Sequence, residues 1–118
     1  FQVILNLFSN SIDVLSSSQI ENKIIYIKIY HDENNLYIEF LDNGGGIKDE
    51  FINRVFEPYF TTKHKSQGTG IGLYMSLQIV TKHLNGEISV KNDTFIENNT
   101  AYFGAKFTIL LPIHLQKN

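Results

Sequence analysis

Leu36, Ile38 and Phe40 alternate along a segment rich in apolar and aromatic residues, and the same two-residue period carries Asp42 onto their face. A strand therefore ends by aiming a carboxylate at the core side, a costly placement unless something pairs with it. The segment Ile24 to Tyr30 is equally rich in Ile and Tyr, and the polar run His31-Asp32-Glu33-Asn34-Asn35 separates it from Leu36 to Asp42. That pattern predicts an antiparallel hairpin. Such a hairpin has to bury its apolar face under other elements.

The remaining periodicities supply those elements. From Phe1 to about Leu15, Leu5, Phe8, Ile12 and Leu15 recur at three- and four-residue steps as an apolar stripe, with Asn6, Asn10 and Asp13 on another face. Ser16-Ser17-Ser18 ends this helix. A short helix is expected within Ile47 to Phe56. Glu57 to Gly72 holds Pro58 and three glycines with little periodicity, as in a lid or binding loop. Helix returns from about Ile71 to Leu84, with Leu73, Leu77, Val80 and Leu84 on one face and Asn85-Gly86 as its stop. Strands are predicted at Glu87 to Lys91 and Lys106 to Leu111, joined by a polar loop from Asn92 to Gly104. This order implies one α/β (α+β) domain over residues 1–118, a two-layer sandwich with a mixed sheet and helices on one face.

Composition removes several functions. A net charge of −2 with acids and bases mixed along the chain offers no basic stripe for nucleic acid. With no cysteine, disulfides and thiolate metal sites are excluded, and a reducing cytoplasm fits. No apolar run approaches the roughly 20 residues of a membrane span. The first residues read as the middle of a helix, as in a fragment of a longer protein, whose parent could itself be membrane-bound.

Three features carry chemistry. Gly68-Thr69-Gly70-Ile71-Gly72-Leu73 leads directly into a helix, where glycines let backbone approach a phosphate and the helix start offers unpaired N–H groups. A plain flexible loop fits the same run. It is not a dinucleotide fingerprint, since no strand immediately precedes it, and it lacks a Walker-type lysine-serine pair. Asp42-Asn43-Gly44-Gly45-Gly46 sets a core-facing carboxylate beside a flexible turn, suited to an exocyclic amine such as that of adenine, or to capping a turn. The stripe Asn6, Asn10 and Asp13 could lend an amide oxygen to Mg²⁺, or be an ordinary polar face.

Taken together, these segments resemble sensor histidine kinases. Gln2 to Ser11 resembles their asparagine box, Asp42 to Gly46 the first glycine box, Phe56-Glu57-Pro58-Tyr59-Phe60-Thr61-Thr62-Lys63 the phenylalanine box, and Gly68 to Leu73 the second glycine box. Order and spacing match across essentially the whole chain, down to Phe107-x-Ile109-x-Leu111-Pro112. The resemblance implies the Bergerat fold, with an ATP lid at about residues 56–70. It implies ATP and Mg²⁺ as ligands, with Asn10 on the metal and Asn6, Asn10 and Lys63 nearest the chemistry. Nucleotide contacts fall on Asn10, Asp13, Asp42, Gly44, Gly46, Ile47, Phe56, Lys63, Gly68, Thr69, Gly70, Ile71, Gly72, Leu73 and Phe107.

The reaction so implied moves the γ-phosphoryl group of ATP to a histidine on a separate dimerisation and acceptor domain of the same parent, with a response regulator downstream. The fragment would be monomeric and the parent a homodimer. No nucleic acid or direct membrane contact is expected. His31-Asp32-Glu33-Asn34-Asn35 faintly echoes an acceptor box, but Leu36 replaces its proline and the segment is a hairpin turn. His64 lies in the lid; His83 and His114 read as structural or exposed. Departures are Asp13, where relatives carry a basic residue, and Ala105, where they carry threonine. Two other readings remain: a nucleotide-binding regulatory module without transfer, and a hydrolytic ATPase clamp. The clamp relatives have a glutamate where this chain has Asn6, and an amide is no general base.

Overall fold

The computed structural model describes residues 1–60 and 71–113. Its elements run α1 (Gln2–Ser16), β1 (Ile25–His31), β2 (Asn35–Asp42), α2 (Asp49–Ile52), α3 (Gly72–Gln78), a π-helical turn (Ile79–His83) continuing α3, β3 (Glu87–Glu97) and β4 (Thr100–Pro112). The strands form one sheet in the order β1-β2-β4-β3. Every pair among the described residues is antiparallel, so the mixed sheet expected from sequence is not seen there. The reason is local. Each strand is followed or preceded by its own hairpin partner, and the chain returns from α3 to place β4, not β3, against β2.

Asp32 organises the β1–β2 turn. Its Oδ1 accepts from the backbone N–H groups of Asn34 (2.9 Å) and Asn35 (2.7 Å), which hold its pKa below the ordinary carboxylate value. His31 closes β1 beside it, exposed, so the faint acceptor echo is a turn.

Both helices cover one face of the sheet, α1 against β2 and the continuation of α3 against β3. The core joins Val3 and Leu7 of α1, Ile38 and Phe40 of β2, Val80, and Ala105, Phe107 and Ile109 of β4. This corrects the apolar stripe expected on α1. Of that stripe only Leu15 is buried; Leu5, Phe8 and Ile12 are exposed, and the buried line is Val3, Leu7, Ser11 and Leu15. Asn6 faces α3, and Leu5, Phe8 and Ile12 lie on the opposite flank of the helix. On β1 itself Ile27 and Ile29 pair with Phe40 and Ile38, so they point to the same face, yet both are exposed.

The second correction concerns Asn92 to Gly104. It is no loop: β3 and β4 stay paired from Glu87↔Leu110 out to Glu97↔Thr100, well past the end of β2 at Leu41↔Lys106. Asn98 (φ 50°) and Asn99 (φ 63°) both adopt the left-handed conformation that a two-residue hairpin turn requires. Beyond β2 the arm lacks a buried face, so its sequence does not alternate. Tyr26, Phe95 and Tyr102 line its base instead, with ring centroids 5.8 and 5.5 Å apart. The predicted helix stop holds: Asn85 (φ 54°) is left-handed and Gly86 N–H bonds back to Val80 O at 2.8 Å.

Candidate functional site

Asp42 ends β2 at 2 % exposure, on the face and at the depth its period predicts. Burial raises its pKa above the ordinary value, while N–H groups of Gly44 and Ala105 partly offset the cost of the charge. Gly44 N–H donates to Asp42 Oδ1 at 2.9 Å. On the other side β4 passes at backbone contact: a Cβ on Gly104 would overlap the Asp42 carbonyl and lie 2.7 Å from Oδ1. Among the described residues every buried side-chain polar atom has a partner, so the carboxylate sits in a satisfied setting.

The glycine turn that follows is folded back on itself. Gly45 and Gly46 have φ of 92° and 81°, conformations that disfavour any side chain. Two asparagines tether it. Asn43 accepts from Ile24 N–H (2.8 Å) and donates to Asn22 O (2.6 Å), fixing the turn's start to the segment before β1. Asn92 on β3 accepts from Ile47 N–H (2.8 Å) and donates to Ile47 O (2.7 Å), fixing its end to the hairpin arm.

One flank of α1 connects this turn to the start of α3. A Cβ on Gly44 would meet Val14 at 2.5 Å, so the C-terminal end of α1 lies at the turn. Two turns earlier, Asn6 Nδ2 donates to Gly72 O (3.2 Å) and Ser76 Oγ (3.1 Å) on α3, and Asn6 Oδ1 accepts from Gln2 (2.9 Å). From Asn6 to Val14 the helix rises about 12 Å, with Asn10 midway on the same flank. Asp13 is exposed towards the end of that flank. No side chain among the described residues caps the first turn of α3.

The sequence-predicted residues thus divide. Asp42, Gly44, Gly46, Asn10 and Gly72 are brought around one line between the glycine turn and α3. Asn6 was expected near the chemistry, but both hydrogens of its amide hold α3 to α1, so it positions rather than reacts. Asn6→Ala removes two bonds between α1 and α3 but leaves Ser76 Oγ–H bonded to Gly72 O at 2.9 Å, so it is expected to lower stability by only about 1 kcal/mol; an unchanged urea midpoint would refute this. Phe107, at 1 % exposure, is part of the core. Phe56 packs edge-on to it at 6.1 Å, and Ile47 and Leu73 lie against the same core, backing the site. Ile71 precedes α3, whereas Lys63, His64, Gly68, Thr69 and Gly70 lie outside the described residues, as does His114. Sequence reasoning missed Gly104 and Asn92. Gly104 carried a signal, a glycine just before the alternating Phe107 strand; Asn92 carried none, because its role exists only once the arm is a hairpin.

Residues 1–115 match the family described as histidine kinase-, DNA gyrase B-, and HSP90-like ATPases. A probable C4-dicarboxylate sensor kinase of Halalkalibacterium halodurans is 36 % identical over 110 residues, covering 93 % of this chain and 19 % of that protein. The Escherichia coli signal transduction histidine-protein kinase AtoS is 34 % identical over 117 residues, covering 99 % of this chain and 17 % of that protein. The chain therefore spans under a fifth of the length of these curated relatives. Among solved structures, the catalytic domain of histidine kinase ThkA superposes with a TM-score of 0.71 at 28 % identity, covering 94 % of this chain and 65 % of that one. The mycobacterial sensor histidine kinase MprB, at 23 % identity and a TM-score of 0.72 over 94 % of this chain and 68 % of that one, shares the fold. The Bergerat architecture expected from sequence is the one observed, and this chain is an ATP-binding catalytic domain of the histidine kinase-, DNA gyrase B- and HSP90-like ATPase family.

Proposed function

We propose that this domain binds Mg-ATP and donates its γ-phosphoryl group to a histidine on the dimerisation domain of its parent protein. The observation that carries this reading is the buried Asp42 at the closed end of a glycine turn, joined by one flank of α1 to the start of α3. The Asp42 carboxylate accepts the adenine amine, an acceptor-only group facing a donor. Gly44, without a Cβ, lets Val14 of α1 close against the turn beside that carboxylate. The triphosphate runs along α1 past Asn10 towards α3, whose first-turn N–H groups and dipole favour its charge.

No described cluster of three His, Cys, Asp or Glu residues exists to grip a metal by itself. Mg²⁺ suits the site nonetheless, because it keeps several waters and needs only one hard protein oxygen beside phosphate oxygens. Asn10 would supply that oxygen, and the ion, when bound, would neutralise phosphate charge. The protein's part in phosphoryl transfer is then to position the nucleotide and hold α1, α3 and the turn rigid. Lys63 and the run Gly68 to Gly70 complete the phosphate end in this reading.

Among the described residues no helix is long and apolar enough to cross a membrane. The domain works in the cytoplasm, in a homodimeric parent that passes the phosphoryl group on to a response regulator. To test it, the domain and labelled ATP are mixed with the parent's acceptor helices. Acid-labile, base-stable label on those helices is expected. Label that survives acid, or hydrolysis with no labelled partner, would exclude histidine transfer. The clamp reading finds no support at Asn6, which cannot activate water.

A further inference from the structure

We infer that Asn92 is a positioning residue for the purine end of the site, acting from the β3–β4 arm, which belongs to none of the four motifs. The inference rests on the adenine reading of Asp42. A run of three glycines has more backbone freedom to lose than any other sequence of its length, so a pocket built on it must be held from outside. Asn43 holds the start of the turn to the segment before β1, and the bonds that hold its middle and end come from the arm. Gly45 N–H donates to Phe103 O at 3.2 Å, and Ile47 exchanges two bonds with the Asn92 amide at 2.8 and 2.7 Å. Asn92 thus replaces a strand partner for Ile47, satisfying donor and acceptor of one residue with one side chain. The fit is close: a Cβ on Gly46 would lie 2.6 Å from Asn92 Oδ1 and 2.9 Å from Phe103 Cε2.

The placement on the arm matters. Asn92 pairs with Ala105, and the adjoining pair is Asp93↔Gly104, where Gly104 abuts Asp42 itself. One rigid ladder therefore sets both the carboxylate and the turn that faces it, and their separation decides which base edge fits between them. Loosening Asn92 should blur base recognition more than it weakens the fold, because the ladder bonds and the core beneath are untouched.

The test uses the full chain, with affinities for Mg-ATP and Mg-GTP measured by displacement of a fluorescent ATP analogue. Asn92→Ala is expected to weaken ATP about tenfold, the scale of one lost pair of neutral hydrogen bonds, while GTP changes little and discrimination narrows. Amide exchange at Ile47 should speed up, with the thermal midpoint nearly unchanged. Asn92→Asp keeps the acceptor but turns a carboxylate towards the Ile47 carbonyl, and should behave at least as badly. Wild-type ATP affinity in Asn92→Ala, with Asp42→Asn failing to bind, would overturn the inference and leave the adenine reading standing. Equal losses for ATP and GTP together with a lowered midpoint would make Asn92 merely structural and also overturn it. If Asp42→Asn still binds ATP normally, the adenine reading fails, and the inference with it.

Discussion

Asp42→Asn is expected to remove ATP binding while leaving the fold intact. Asparagine is nearly isosteric and its oxygen can still accept from Gly44 N–H, 2.9 Å away in the wild type. Its other group is a donor, however, and would meet the adenine amine donor to donor. Losing a charge-assisted hydrogen bond and stranding a buried donor costs about 2–4 kcal/mol, roughly a hundredfold or more in affinity. Calorimetry that returned wild-type affinity would end the adenine assignment. The same pair of proteins tests the electrostatics. Burial raises the Asp42 pKa in the folded chain above its unfolded value. For a group raised on folding, the stabilising contribution is complete below the unfolded pKa and is lost as pH rises through the folded one. The asparagine variant has no such group. Urea midpoints from pH 4 to 8 should therefore move in favour of the wild type, relative to the variant, as pH falls. A difference that stays flat would mean that Asp42 is not held at a raised pKa.

Among the described glycines, Gly104→Ala should be the most damaging alanine substitution. Its Cβ would enter the Asp42 carbonyl and sit 2.7 Å from Oδ1, and β4 cannot retreat, because the adjoining Ala105 and nearby Phe107 are core. Displacing that backbone is expected to cost more than about 3 kcal/mol and to abolish nucleotide binding as well. Gly45→Ala gives the contrast. Nothing lies within 4 Å of its Cβ, but φ is 92°, so it carries conformational strain alone, about 1–2 kcal/mol. Denaturation midpoints ranking Gly104→Ala above Gly45→Ala would show that the glycine on β4 exists for room rather than freedom.

Much of this site was legible in the sequence because short periods report faces directly. The alternation ending on Asp42 placed a carboxylate in the core before any coordinates, and Asn85-Gly86 marked a helix end that the structure keeps. What sequence could not give depended on long-range contact. Leu5, Phe8 and Ile12 form as good an apolar stripe as Val3, Leu7, Ser11 and Leu15; packing against strands and α3 far along the chain, with the bonds from Asn6 to Gly72 and Ser76, settles which one turns inward. The arm from Asn92 to Gly104 reads as loop because it buries no apolar face in the core, and ladder bonds leave no trace in composition. Asn92 and Gly104 were invisible as a pair for that reason, each ordinary until the hairpin aligned them beside Asp42.

The uncovered side of the sheet has a practical consequence. β1 is an edge strand, its Ile29 is 64 % exposed, and Leu5, Phe8 and Ile12 of α1 are exposed as well. An open row of backbone donors and acceptors next to a sticky strip is the usual starting point of edge-to-edge aggregation. Polar substitutions at Ile27 or Ile29 are therefore expected to improve solubility without touching Asp42 or the glycine turn.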